Sequence, residues 1–181
     1  MGLAKPALAY GSGTMVGAVV SAAHQVELSP VVVVTGFHQR DVVEAVGDGA
    51  VVVHNPNAAS GNVSSLVVGL DAIGDADGVV ILLADMPEVH PEAIAELAAG
   101  VVKSASLGGW VEYTDGRGHP IALTRSTFDD VRSLTGPKAL WPFLSSLASD
   151  DTFVLHFPTS RPTDVNTLED YERVAARPRG D

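Results

Sequence analysis

Three short stretches carry residue types able to handle phosphate. In LLADMPEVHPEAI, residues 82–94, an apolar run leads straight into Asp85, and Met86-Pro87 then turns the chain. Ligands of α/β sheets gather at the carboxyl ends of strands. Mg²⁺ needs only one or two protein carboxylates there, the rest of its octahedron being water and phosphate oxygen. The same Asp would serve equally to cap the next helix, and the residue alone leaves both uses open. In PTDVNTLEDY, residues 162–171, Asp164 and Asn166 alternate on an extended segment and share one side. Either offers a second oxygen if the fold returns it to Asp85; otherwise both decorate a helix entry. The third stretch is the opening MGLAKPALAYGSG, where Lys5 and glycines at 2, 11 and 13 resemble pieces of a phosphate loop with no strand before them.

That opening is weighed against two nucleotide signatures. Gly11, Gly13 and Gly17 approximate a dinucleotide fingerprint, but the following strand ends in Thr35, where a ribose-binding acid is required. No Gly-Lys-Ser/Thr follows for a Walker loop. A hairpin or turn leading into an apolar helix is therefore expected over ALAYGSGTMVGAVVSAA. His24, His38, His54, His90 and His156 show no metal-ligand spacing and receive no role.

The elements that must position these residues follow a βαβ rhythm. Strands are expected at 31–35, 50–54 and 78–84, the last being the most apolar and hence central. Helices are expected at 63–73, with Leu66, Leu70 and Ile73 on one face, and from Pro91 through Ala99. GGWVEY at 108–113 and HPIALTR at 119–125 form an extended pair. Helices follow at about 126–134 and 138–148, then a strand at 152–157. The last helix, 167–175, has Thr167 as cap and Asp170 three residues on, a near miss to the capping box. Residues from about 174 to 181 are expected to fray.

Composition bounds the rest. The chain has 181 residues, 46% of them hydrophobic, with neither repeats nor a low-complexity linker, so a single domain over 1–181 is expected. The net charge of −11 disfavours nucleic acid and anionic membranes, and makes any phosphate chemistry local and metal-assisted. The apolar runs are too short to span a bilayer, and no signal-peptide pattern opens the chain. With no Cys there are no disulfides or thiolate sites, which fits a cytoplasmic setting.

Taken together, MGLAKPALAYGSGTMVGAVVSAA, NPNAASGNVSSLVVGL, VILLADMPEVHPEAI, GRGHPIALTRSTFDDVRSLTG and DVNTLEDYERV resemble, in order and spacing, the molybdenum-cofactor cytidylyltransferases. More broadly they resemble nucleotidyltransferases of the nucleotide-diphospho-sugar transferase fold. The resemblance implies a three-layer α/β/α Rossmann-like domain with a mainly parallel sheet. It also implies transfer of a nucleoside monophosphate from CTP, or GTP, to a phosphorylated acceptor such as molybdopterin, with release of pyrophosphate. Lys5 would then balance triphosphate charge, and Asp85 would hold Mg²⁺ with Asn166 or Asp164. Gly61, Ser64 and Ser65 would close over base and ribose, and Gly118, His119 and Pro120 would place the acceptor. A molybdoenzyme or its chaperone becomes the expected protein partner.

Two departures are visible. The family's loop, broadly Leu-Ala-Ala-Gly-x-Ser-x-Arg-Met-Gly-x-x-x-Lys, is matched only by Met1-Gly2 and Lys5, so its first strand and loop are expected to be absent. Either the start lies at an internal methionine or the protein is genuinely short. Gly136-Pro137-Lys138 stands where the family has Gly-Asp-Lys-Gly-Ala-Arg. Guanylyl transfer to molybdopterin or to a small phosphorylated acid is the alternative within the class. A non-catalytic nucleotide- or cofactor-binding accessory protein is the alternative outside it.

Overall fold

The computed structural model describes residues 4–177, so the match at Met1-Gly2 lies outside the described residues. After a 3₁₀ turn at Lys5–Ala7, the expected hairpin is formed by β1 (Ala9–Tyr10) and β2 (Gly13–Thr14). It leads into helix α1 (Met15–Gln25), whose first turn is capped by Thr14 Oγ1 accepting from Gly17 N at 3.1 Å. β3 (Val32–Thr35), α2 (Gln39–Val46) and β4 (Val51–His54) make a βαβ unit, β3 and β4 pairing in parallel. Helix α3 (Asn62–Ala72) and β5 (Gly78–Ile81) follow. Then come α4 (Pro91–Ser104), β6 (Gly108–Tyr113), β7 (Gly116–Thr124), α5 (Phe128–Arg132), α6 (Leu140–Ser146), β8 (Thr152–His156) and α7 (Leu168–Ala175).

The strands are mixed in direction rather than mainly parallel. The larger sheet runs β5-β7-β6-β8. β7 returns from β6 as a hairpin and slots between β5 and β6, antiparallel to both, while β8 runs parallel to β6. β5 is therefore an edge strand of this sheet among the described residues, and not its centre; β3 and β4 stand in a separate pair. β5 is also shorter than its apolar run. Its ladder ends at Ile81 opposite Ile121, because the next partner, Pro120, has no N–H to continue it.

Helices cover both faces of the larger sheet. Ile121 and Leu123 of β7 pack with Leu70 of α3, Phe128 and Val131 of α5 and Leu144 of α6; Leu66 and Ile73 join them, as the face of α3 predicts. Ala122, with Val111 and Tyr113 of β6, meets Ala93, Leu97 and Val101 of α4 on the other face. This alternation along β7 is the period-2 rule of a buried strand. Each fully buried aliphatic such as Leu97 or Ile121 contributes about 1.5–3 kcal/mol of burial free energy. Apolar spacing continues through Val101, which explains why α4 outruns its expected end at Ala99.

At the carboxyl end, Thr167 and Asp170 do complete a reciprocal capping box, Asp serving in place of the longer Glu. Residues 174 and 177 both make contacts with the rest of the domain. Val174 is buried with Met15 and Val165, and Arg177 Nη1 donates to Glu88 at 2.6 Å.

Candidate functional site

The carboxyl end of β3 and the segment just after β5 enclose a cleft of about 570 Å³. Val33, Val34, Thr35 and Gly36 line one wall, and Ala84 and Asp85 another, while Lys5 and Asn166 reach in from the two ends of the chain. Lys5, Asp85, Asp164 and Asn166, proposed separately from three distant stretches, are thus brought together. Lys5 Nζ donates to Asn166 Oδ1 at 3.5 Å, and its charge also acts on Asp85.

Tertiary structure places the Asp164–Asn166 segment through Val165. That side chain is 1% exposed, and its N–H donates to Asp85 O at 3.0 Å. Its neighbours on either side, Asp164 and Asn166, then share the opposite direction. Burial raises the pKa of Asp85 above its ordinary value; the negative charge of Asp164 and a side-chain hydrogen bond with it raise it further, against smaller lowering by a backbone hydrogen bond and by Lys5. Two carboxyl groups crowded in this way fit a hard divalent cation, which would relieve both repulsion and desolvation. Among the described residues no group of three or more His, Asp or Glu is placed to hold a metal ion. A cation here would hence rely on this pair, the Asn166 carbonyl oxygen and oxygens from ligand or water.

Gly61, Ser64 and Ser65 form a second group, at the start of α3. Asn55, 2% exposed, donates through Nδ2 to Ser64 Oγ and Ser65 Oγ, each at 2.9 Å. Its Oδ1 accepts from Asn57 N at 2.9 Å. Ser64 Oγ in turn lies 2.8 Å from Gly61 O and 3.0 Å from Asn57 O. Asn55 therefore organises the loop, and sequence reasoning missed it; its one signal was a polar residue just after an apolar strand. Gly61 has φ +107°, and a Cβ there would stand 2.6 Å from Pro137 Cα. The Gly136-Pro137-Lys138 segment thus lies directly over the loop.

The Gly118-His119-Pro120 group sits where the β6–β7 register shifts, between Trp110 and Val111 on β6. Such bulges re-aim side chains. Gly118 is buried, and a Cβ on it would press on Arg161 Cδ and the Tyr113 ring. Tyr113 OH donates to His119 O at 2.8 Å, and the His119 ring meets Trp141 edge-on at 5.8 Å. Burial pushes the imidazole down to about 4, although the charge of Asp164 pulls it upward. His119 is hence neutral at physiological pH. Neither this group nor Gly61, Ser64 and Ser65 lines the cleft that holds Lys5, Asp85 and Asn166.

No helix among the described residues is long and apolar enough to cross a membrane. Residues 1–152 match the family model of the MobA-like NTP transferase domain. Rv0371c from Mycobacterium tuberculosis H37Rv, solved in complex with manganese, superposes with a TM-score of 0.82 at 29% identity, over 97% of this chain and 94% of that one. Its homologue from Mycobacterium sp. strain JC1 gives 0.85 at 30% identity, over 97% and 88%. A nucleotidyl transferase from Methanothermobacter gives 0.74 at 26%, over 96% and 84%. A search of the curated proteins found no match. With more than half of its length matched by the family model, the chain belongs to the MobA-like NTP transferase domain family.

Proposed function

We propose that this protein transfers a nucleoside monophosphate, CMP in preference to GMP, from the triphosphate to a phosphorylated acceptor of the molybdopterin class. A terminal phosphate oxygen of the acceptor attacks the α-phosphorus, the bond to the bridging oxygen breaks, and pyrophosphate leaves. The observation that carries this reading is the meeting of Lys5, Asp85, Asp164 and Asn166 in one cleft.

Lys5 supplies a positive charge to the triphosphate in an otherwise acidic site. Asp85, Asp164 and Asn166 would hold Mg²⁺, which when bound would neutralise phosphate charge and polarise a phosphoryl oxygen. In this reading Gly61, Ser64 and Ser65, tied together by Asn55, would close over base and ribose. Neutral His119 offers a hydrogen bond at the acceptor side without adding charge. Acceleration then comes from positioning and charge stabilisation, with no covalent intermediate on the protein.

Calorimetric titration with CTP and with GTP, each with Mg²⁺, tests the reading. Saturable binding of CTP over GTP is expected, with Asp85→Ala weakening it by roughly 10²-fold while far-UV circular dichroism is unchanged. Tighter binding of GTP turns the reading to guanylyl transfer, and binding of neither overturns it for this chain. The same titration on a chain lengthened upstream by any in-frame Leu-Ala-Ala-Gly sequence tests whether the cleft between β3 and β5 takes a further strand and loop. One observation favours the non-catalytic accessory reading, namely Pro137 seated over Gly61. Nucleotide binding without pyrophosphate release in the presence of acceptor would select it.

A further inference from the structure

We propose that Arg117, held in place by Trp141 and Ser145, binds the phosphate of the acceptor. The inference rests on the nucleotidyl-transfer reading for the identity of its ligand, and on the following geometry for its site. Arg117 and His119 lie two residues apart on β7 and both reach Trp141. The guanidinium carbon stands 4.8 Å from the Trp141 ring centroid, and the His119 ring meets the same indole edge-on. Trp141 is steadied from behind by Trp110, edge-to-face at 6.3 Å. Arg117 Nη1 donates to Ser145 Oγ at 3.1 Å, so both the plane and the rotation of the fork are set.

The partners of Arg117 are what distinguish it. Five described arginines spend their charge on carboxylates: Arg125 on Asp75, Arg132 on Asp71 and Asp129, Arg161 on Asp115, Arg173 on Asp170, and Arg177 on Glu88. Among the described residues Arg117 makes no such pair, although Glu112 stands directly opposite it on β6. Its fork is turned instead to an aromatic face and a hydroxyl. Arg40 is the other described arginine without a carboxylate, and no hydrogen bond or ring contact orients it. In a chain of net charge −11, an exposed guanidinium fixed on neutral partners keeps its donors for an incoming anion. It stands one aromatic ring beyond His119, which itself feels the charge of Asp164. A phosphate monoester matches both the fork and the place.

The test is titration of the full chain with inorganic phosphate and with phenyl phosphate, followed by tryptophan emission and by ³¹P NMR. Saturable binding is expected, weakened roughly tenfold or more by Arg117→Ala. Arg117→Lys recovers only part of it, since a point charge lacks the fork. Arg132→Ala removes a guanidinium already paired with Asp71 and Asp129, and leaves the affinity as it was. Affinity indifferent to Arg117→Ala, or lowered as much by Arg132→Ala, overturns the proposal. The CTP–Mg²⁺ titration on the same samples separates the two readings. Nucleotide binding with phosphate affinity indifferent to Arg117 defeats this inference alone. An Arg117-dependent phosphate site without nucleotide binding defeats nucleotidyl transfer and leaves the anion site standing.

Discussion

Asp85 is held where folding and chemistry disagree. Its carboxyl is partly buried beside Asp164, so the native state favours the protonated form more than the unfolded chain does. The sign follows from linkage: the native state binds this proton more tightly, so the contribution to stability is present below the ordinary value of 3.8 and is lost as pH rises through the raised value. At neutral pH the ionised group costs stability, and Asp85→Asn removes that cost. The variant should melt higher than wild type at pH 7, with the gap shrinking as pH falls toward 3.8. Thermal scans across that range check it, and equal melting temperatures at pH 7 would defeat the account. The same substitution should weaken metal-dependent nucleotide binding.

At the scale of elements, the loop before α3 is over-determined. Asn55 ties both serines, and Gly61 adopts a left-handed backbone against Pro137. Gly61→Ala would meet the conformational penalty and the clash with Pro137 together. Gly74, with φ +66° and open space where a Cβ would stand, meets the penalty alone. Urea denaturation should show Gly74→Ala costing about 1–2 kcal/mol and Gly61→Ala more, about 2–4 kcal/mol. Equal losses would mean that Pro137 yields freely and places no constraint on the loop.

Across the whole molecule, the site depends on a small cluster joining the two ends of the chain. Met15 of α1, Val174 of α7 and Val165 before it are each at most 1% exposed, and they hold the segment that carries Asp164 and Asn166. Val165→Ala should cost about 1–3 kcal/mol through the cavity it leaves. It should also raise the Kd for CTP–Mg²⁺, because the oxygens lose their anchor. Lower stability with unchanged nucleotide affinity would show that the backbone bond from Val165 N to Asp85 O suffices to place them.

Much of this was legible from the residues. Apolar period predicted α3 and its buried face, turn residues predicted the opening hairpin, and a carboxylate after the most apolar strand marked Asp85, since these signals are local and each is set by neighbours within one or two turns. Sheet order was not legible. The edge position of β5 and the antiparallel insertion of β7 depend on which strands meet, and pairing partners leave no periodic mark on a single segment. Asn55, Arg117 and Trp141 escaped for the same reason: a buried amide beneath two serines, or a guanidinium laid on an indole, exists only after distant elements pack. The sequence by itself therefore determined the elements and the chemical types at the cleft, while the tertiary structure alone decided which of them share a site, because contact across a sheet is a property of packing and not of spacing.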